Sequence, residues 1–124
     1  MVKKKKVTEK VVEFILTRKR EELKNLTLQK IAQNVGVNIF YLFFRFIIDQ
    51  RITIPDFILR EKMHEAYFIL GEDEKKSITE LSRELGFLKV EDFDVEFQKC
   101  FAINPEKFRD IRSCVSKKKL IFAR

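Results

Sequence analysis

Ile78-Thr79-Glu80-Leu81-Ser82-Arg83-Glu84-Leu85-Gly86-Phe87 reads as a short amphipathic helix that stops at a glycine. Ser77 and Glu80 form a capping box ahead of it, the hydroxyl satisfying an amide that the first turn leaves without a carbonyl. Ile78, Leu81 and Leu85 share one helical face, and Gly86 suits the left-handed backbone that ends a helix. An earlier stretch repeats the pattern: Leu28-Gln29-Lys30-Ile31-Ala32-Gln33-Asn34-Val35-Gly36-Val37. Leu28 aligns with Ile78, Ile31 with Leu81, Ala32 with Ser82, Val35 with Leu85 and Gly36 with Gly86. Further on, Leu42 aligns with Phe93, Phe46 with Phe97, and Ile52-Thr53-Ile54-Pro55-Asp56-Phe57 with Ile103-Asn104-Pro105-Glu106-Lys107-Phe108.

Physical chemistry accounts for the residue types. A small residue at Ala32 or Ser82 lets two helices approach closely, and glycine at 36 or 86 permits the tight turn between them. Leu42 with Phe46, and Phe93 with Phe97, anchor the second helix by one side and leave its opposite face free. This is the logic of a helix-turn-helix, which lays its second helix in the DNA major groove.

Outside the repeat, Thr8 is positioned to cap a helix running to about Glu22, with Val11, Val12 and Ile15 on its apolar side. Asn38 caps a helix from Ile39 to about Gln50, in which nine of twelve residues are apolar. Its aromatic and β-branched residues would suit a strand, but the alternation of a strand is missing. Thr53, Pro55 and Asp56 open a long helix to Leu70, and Gly71–Lys76 reads as a connector. A helix over about Glu91–Phe101 and a last one marked by Asn104, Pro105, Phe108 and Ile111 complete the chain. The expected fold is all-α: two helix-turn-helix subdomains joined by a long linker helix, about seven helices in total. The expected divisions are a flexible basic start (1–6), a first subdomain (7–54), a linker helix (54–70), a second subdomain (71–112) and a basic tail (113–124).

Composition agrees. In 124 residues there are only three Gly and two Pro, against 45% apolar residues including thirteen Phe, which favours long helices over a turn-rich β fold. Net charge is +7, with residues 1–24 and 105–124 each carrying +5 and the eighty between them −3. Basic ends of this kind attract a phosphate backbone. Two cysteines are too few for a disulfide scaffold, and Cys100, in an apolar helical stretch, is expected to be buried. The N-terminal lysines lack the apolar run of a signal peptide, and the longest apolar run, Ile39–Phe44, has six residues. A cytoplasmic protein with no membrane partner is expected. The one histidine, His64, has no nucleophile, metal-ligand cluster or phosphate loop for company, so neither catalysis nor a metal or cofactor is expected.

The two repeated strings, especially Ser77–Phe87 followed by Phe93, Phe97, Phe101 and Ile103–Phe108, resemble the DNA-binding domain of the AraC/XylS family of bacterial transcription regulators. The resemblance covers roughly residues 8–112. It implies two recognition helices entering successive major-groove segments of double-stranded DNA, and association with the bacterial nucleoid when bound. It also implies RNA polymerase or another regulator as a further partner. The length holds no separate effector or dimerisation domain, so a monomer or a fragment of a larger regulator is expected.

Carried over residue by residue, the resemblance puts base reading at Asn38, Phe40, Tyr41, Phe43 and Phe44 in the first copy, flanked by Ile47 and Ile48. In the second copy it falls at Asp94, Val95 and Gln98, beside Glu91 and Asp92. Gln98 is suited to adenine, and Lys99 to guanine or phosphate. Phosphate contacts are expected from Lys30, Arg45, Arg60, Lys62, Lys89 and Lys99. Departures are informative. Phe44 stands where the family commonly has arginine, and Ile47 and Ile48 where it has a basic pair; core burial or a protein partner is the simpler expectation for Phe44. Residues 86–104 sum to −2, an electrostatic penalty beside phosphates. The glycine usual after each recognition helix is replaced by Arg51 and Ala102, so either the backbone is altered there or no positive φ is needed. The alternative function is a diverged helix-turn-helix module that acts through protein contacts.

Overall fold

A computed structural model describes residues 6–72 and 76–122, with side chains as far as residue 114. Most of the expected basic start (1–5), part of the connector (73–75) and the end of the tail (123–124) lie outside the described residues. The described residues form eight helices and no strand: α1 (Val7–Leu16), α2 (Arg20–Lys24), α3 (Leu28–Val35), α4 (Ile39–Gln50), α5 (Ile54–Glu72), α6 (Ile78–Glu84), α7 (Val90–Phe101) and α8 (Pro105–Phe122). They divide into two compact units, Met1–Lys62 and Met63–Arg124, and α5 runs through the division.

In the first unit, Val11 and Ile15 of α1, Leu23 of α2, Ile31 and Ala32 of α3, Leu42 and Phe46 of α4, and Ile54 and Ile58 of α5 form one buried cluster. The Phe46 ring meets Phe57 edge-on at 5.6 Å, an arrangement aromatic quadrupoles favour. Thr27 caps α3 by accepting from the Lys30 amide at 3.2 Å. Gly36 then takes the left-handed conformation, φ 79°, and the chain turns by 98° into α4. That angle is typical of a helix-turn-helix pair.

The expected first helix is in fact two. It stops at Leu16 because the next two side chains satisfy the carbonyls at its end. Thr17 donates its hydroxyl to the Glu13 and Phe14 carbonyls at 2.8 and 3.1 Å. Arg18 donates Nε to the Phe14 carbonyl, lies 4.2 Å over the Phe14 ring, and pairs with Glu22 across the break at 3.0 Å. Thr8 does not cap α1 either. Lys6 occupies that position, and Thr8 is a buried helical residue whose hydroxyl donates to Asp49 at the end of α4.

The second unit repeats the first. Ser77 accepts from the Glu80 amide at 3.0 Å, and Gly86 has φ 95°. Leu81, Leu85, Phe93, Phe97 and Phe108 are buried. Ser82 is also buried, and its hydroxyl donates to the Thr79 carbonyl at 2.8 Å, so the small residue in the tight position is satisfied. Phe97 and Phe108 stand 5.6 Å apart, the same separation as the aligned pair Phe46 and Phe57. Phe101 and Tyr67 extend this stack, with Tyr67 at 4.7 Å from Phe108 and 5.1 Å from Phe101. From the turn glycine to the first buried anchor of the next helix, the second copy (Gly86 to Phe93) is one residue longer than the first (Gly36 to Leu42), and Leu88 within it is 99% exposed.

Three expectations are corrected. Cys100 is exposed, not buried. Phe93, Phe97 and Phe101 set the inward direction of α7, and Cys100 sits about 60° of helical rotation away from it. The linker helix extends past Leu70 to Glu72, and residues 113–122, most of the span expected as a basic tail, continue α8.

Candidate nucleic-acid interface

Helix α4 turns two apolar faces in opposite directions. Leu42 and Phe46 are fully buried, while Phe40, Phe44 and Ile48 are 72%, 61% and 60% exposed. At 100° per residue, Phe44 lies about half a turn from the midpoint of Leu42 and Phe46. Tyr41 flanks this stripe on one side and is exposed; Phe43 and Ile47 flank it on the other and are half-buried. Phe43 and Phe44 meet edge-on at 5.4 Å. Core burial of Phe44 is thereby excluded: the nine apolar residues of α4 serve a core and a surface at once.

The polar groups around the stripe are largely spoken for. Asn38 Oδ1 caps α4 by accepting from the Phe40 and Tyr41 amides at 2.9 and 3.4 Å. Arg45 donates Nε to Asp49 at 3.2 Å. The Thr8 hydroxyl, then Arg45, hold the Asp49 carboxyl below the usual aspartate value. Lys30 Nζ donates to the Asn25 carbonyl at 2.9 Å. Arg60 is exposed, and burial alone pulls the half-buried Lys62 ammonium below the usual lysine value.

On α7, Val95, Gln98 and Lys99 are exposed, as are Glu91 and Asp92 near its start and Lys89 at its N-cap. Lys99 leans toward Glu96 at 3.5 Å. Partial burial, then Glu106 and Glu91, push the Asp94 carboxyl above its usual value. Two like charges therefore face it from its own helix and from α8. Near the start of α6, Lys76 makes a two-pronged ion pair with Glu84 at 2.8 and 2.9 Å, and the Arg109 guanidinium donates to the Lys76 carbonyl.

Arg51 and Ala102 resolve the question of the missing glycines. Both follow their helices in the left-handed conformation, with φ 62° and 59°. The backbone is thus that of a glycine-terminated helix, carried by residues that bear a Cβ. Arg51 also puts an exposed cation at the end of α4, which alignment to a glycine position had hidden. The units differ sharply in charge. The first has fourteen basic and seven acidic residues, a net +7; the second has twelve of each. Among the described residues, no cluster of three or more His, Cys, Asp or Glu is arranged to hold a metal, and no single helix is long and apolar enough to cross a membrane.

No protein-family model matches the chain. It is 31% identical over 85 residues to the Msm operon regulatory protein of Streptococcus mutans, an alignment that takes in 68% of this chain; the chain spans 30% of the length of that curated relative. Among solved structures, a transcriptional regulator of Chromobacterium violaceum described by its AraC-type DNA-binding domain superposes with a TM-score of 0.75 at 21% identity, covering 86% of this chain and 91% of that one. The C-terminal domain of AraT, a response regulator from Geobacillus stearothermophilus, gives 0.73 at 19%, covering 86% of each chain. The C-terminal domain of the response regulator yesN from Fusobacterium nucleatum gives 0.68 at 23%, covering 82% of this chain and 95% of that one. The two capped helix-turn-helix copies, their left-handed turns and these superpositions agree: the chain has the fold of the AraC-type DNA-binding domains.

Proposed function

We propose that the chain binds double-stranded DNA sequence-specifically and regulates transcription, each unit offering the second helix of its helix-turn-helix, α4 or α7, to a major groove. The observation that carries this reading is the repeated helix-turn-helix in a chain whose whole net charge, +7, resides in one of its units. Counterion release from phosphate rewards such a charge, and base edges then select register. Lys30, Arg45, Arg60, Lys62, Lys89 and Lys99, joined by Arg51, are the proposed phosphate contacts. Val95 and Gln98 are the proposed base contacts of α7. Contact with RNA polymerase or another regulator, and action as a monomer or as part of a longer regulator, belong to the same proposal.

The test is selection of duplexes from a random library at several salt concentrations. A consistent site spanning two adjacent major-groove segments is expected, with affinity falling steeply between about 50 and 200 mM salt. Binding with no sequence preference, or none near about 100 mM salt, would reject the reading. A second reading, a module that acts through protein contacts, draws on the exposed Phe40, Phe44 and Ile48, and predicts binding to a protein with no preference among duplexes.

A further inference from the structure

The outward stripe of α4 is unusual chemistry for a surface expected to read bases. Phe40, Phe44 and Ile48 recur every four residues along the face opposite the core, with Tyr41 beside them. At 1.5 Å per residue, the stripe from Phe40 to Ile48 is about 12 Å long, comparable with three to four base pairs at about 3.4 Å each. Within the stripe itself no side chain is charged or carries a hydrogen-bonding group; the exposed Arg45 beside it is paired with Asp49, and Asn38 Oδ1 at its N-terminal end is committed to the helix cap. Such a face cannot match the hydrogen-bonding groups of the groove floor.

The major groove contains one apolar group, the 5-methyl of thymine. Phenyl rings pressed against guanine O6 and N7 or the cytosine amine would strip water from those groups and return no hydrogen bond, which is costly. Pressed against thymine methyls, the same rings bury apolar surface on both sides. Charge chooses the occupant. The unit that bears the stripe has a net +7, so the polyanionic duplex is drawn to it, whereas a second copy of the same unit is repelled.

We infer that the outward face of α4 is a thymine-methyl reader, with Phe44 at its centre and Phe40 and Ile48 at its ends, specifying a run of A·T pairs by apolar contact. This rests on the DNA-binding reading above and adds the sequence class that α4 selects. It also accounts for the apolar residues at 44, 47 and 48, where the resembling family carries basic ones.

The experiment uses the full chain and the tightest duplex recovered by selection, with each thymine replaced in turn by deoxyuridine. That exchange removes the methyl and leaves the pairing edge intact. Loss of affinity of about three- to fivefold is expected at each of two to four clustered thymines, the size of one buried methyl. Phe44→Ala, at an exposed position, is expected to bind the all-thymine duplex more weakly than the parent and to lose the preference for thymine over deoxyuridine at the central thymine, while keeping it at the thymines that Phe40 and Ile48 meet. Equal binding of all deoxyuridine duplexes by the parent chain would overturn the inference while leaving specific DNA binding intact. Failure to bind any duplex would overturn both. A dimer of the free chain in sedimentation that Phe44→Arg dissociates would assign the stripe to a second copy instead.

Discussion

Thr8 donates its hydroxyl to Asp49, joining the first turn of α1 to the last turn of α4 across forty-one residues. The bond favours the ionised carboxylate, whose value is lowered from the ordinary 3.8. A depressed carboxyl contributes stability that is present above its ordinary value and is lost as pH falls through the lower, folded one. The thermal midpoint is therefore expected to decline as pH drops below 3.8. Thr8→Val keeps the shape and removes the donor. Its melting temperature at neutral pH should fall by about 3 °C, and its curve should flatten in that acid range. An unchanged acid limb in Thr8→Val would show that the bond contributes nothing.

The left-handed residues after α4 and α7 give a second expectation. A Cβ in this conformation costs about 1–2 kcal/mol relative to glycine. Ala102→Gly is expected to stabilise the chain by about 1 kcal/mol, and Arg51→Gly by a similar amount, in denaturant unfolding. Gly36→Ala should do the reverse. A Cβ there would meet nothing within 4 Å, so its cost comes from φ 79° alone. Loss of stability in Ala102→Gly would contradict the assigned backbone.

Phe44 and Phe46, two residues apart, should behave oppositely. Phe46→Ala opens a cavity beneath α4 and should cost about 3–5 kcal/mol. Phe44→Ala, on the outward face, should change stability by less than about 0.5 kcal/mol. Urea unfolding of the two variants separates core from surface directly.

Asp94 sits among like charges, and its carboxyl is raised by burial, then Glu106 and Glu91. For a raised carboxyl the sign reverses. The favourable, protonated condition holds below the ordinary value, and stability is lost as pH rises through the higher, folded one. At neutral pH, Asp94→Asn removes this repulsion and should raise stability by about 0.3 kcal/mol, the scale of an exposed helical like-charge pair. Thermal scans at pH 7 and pH 3 should show a gain only at the former.

The repeat was legible because it is written in local chemistry. Thr27 and Ser77, Gly36 and Gly86, and Thr53 and Asn104 each meet backbone demands that a few residues determine. The break after Leu16 was missed because Thr17 and Arg18 end α1 through side-chain bonds to carbonyls, with no glycine or proline to mark the stop. Cys100 was misplaced because apolar neighbours surround it in the chain, whereas rotation about α7 decides burial. At α4, the repeat already marks Leu42 and Phe46 as the anchoring side, whereas the exposure of Phe44, for which core burial is the simpler expectation from its apolar chemistry, depends on the rotation of α4 against the core.

The uneven charge of the two units has a kinetic consequence. If the partner is a duplex, the +7 unit governs how fast encounter occurs, since long-range attraction accelerates arrival. The neutral unit adds little to arrival and acts by delaying departure. Substitutions on α4's basic surroundings should then alter association rates, and those on α7 residence times, giving the bound molecule a first hand and a second.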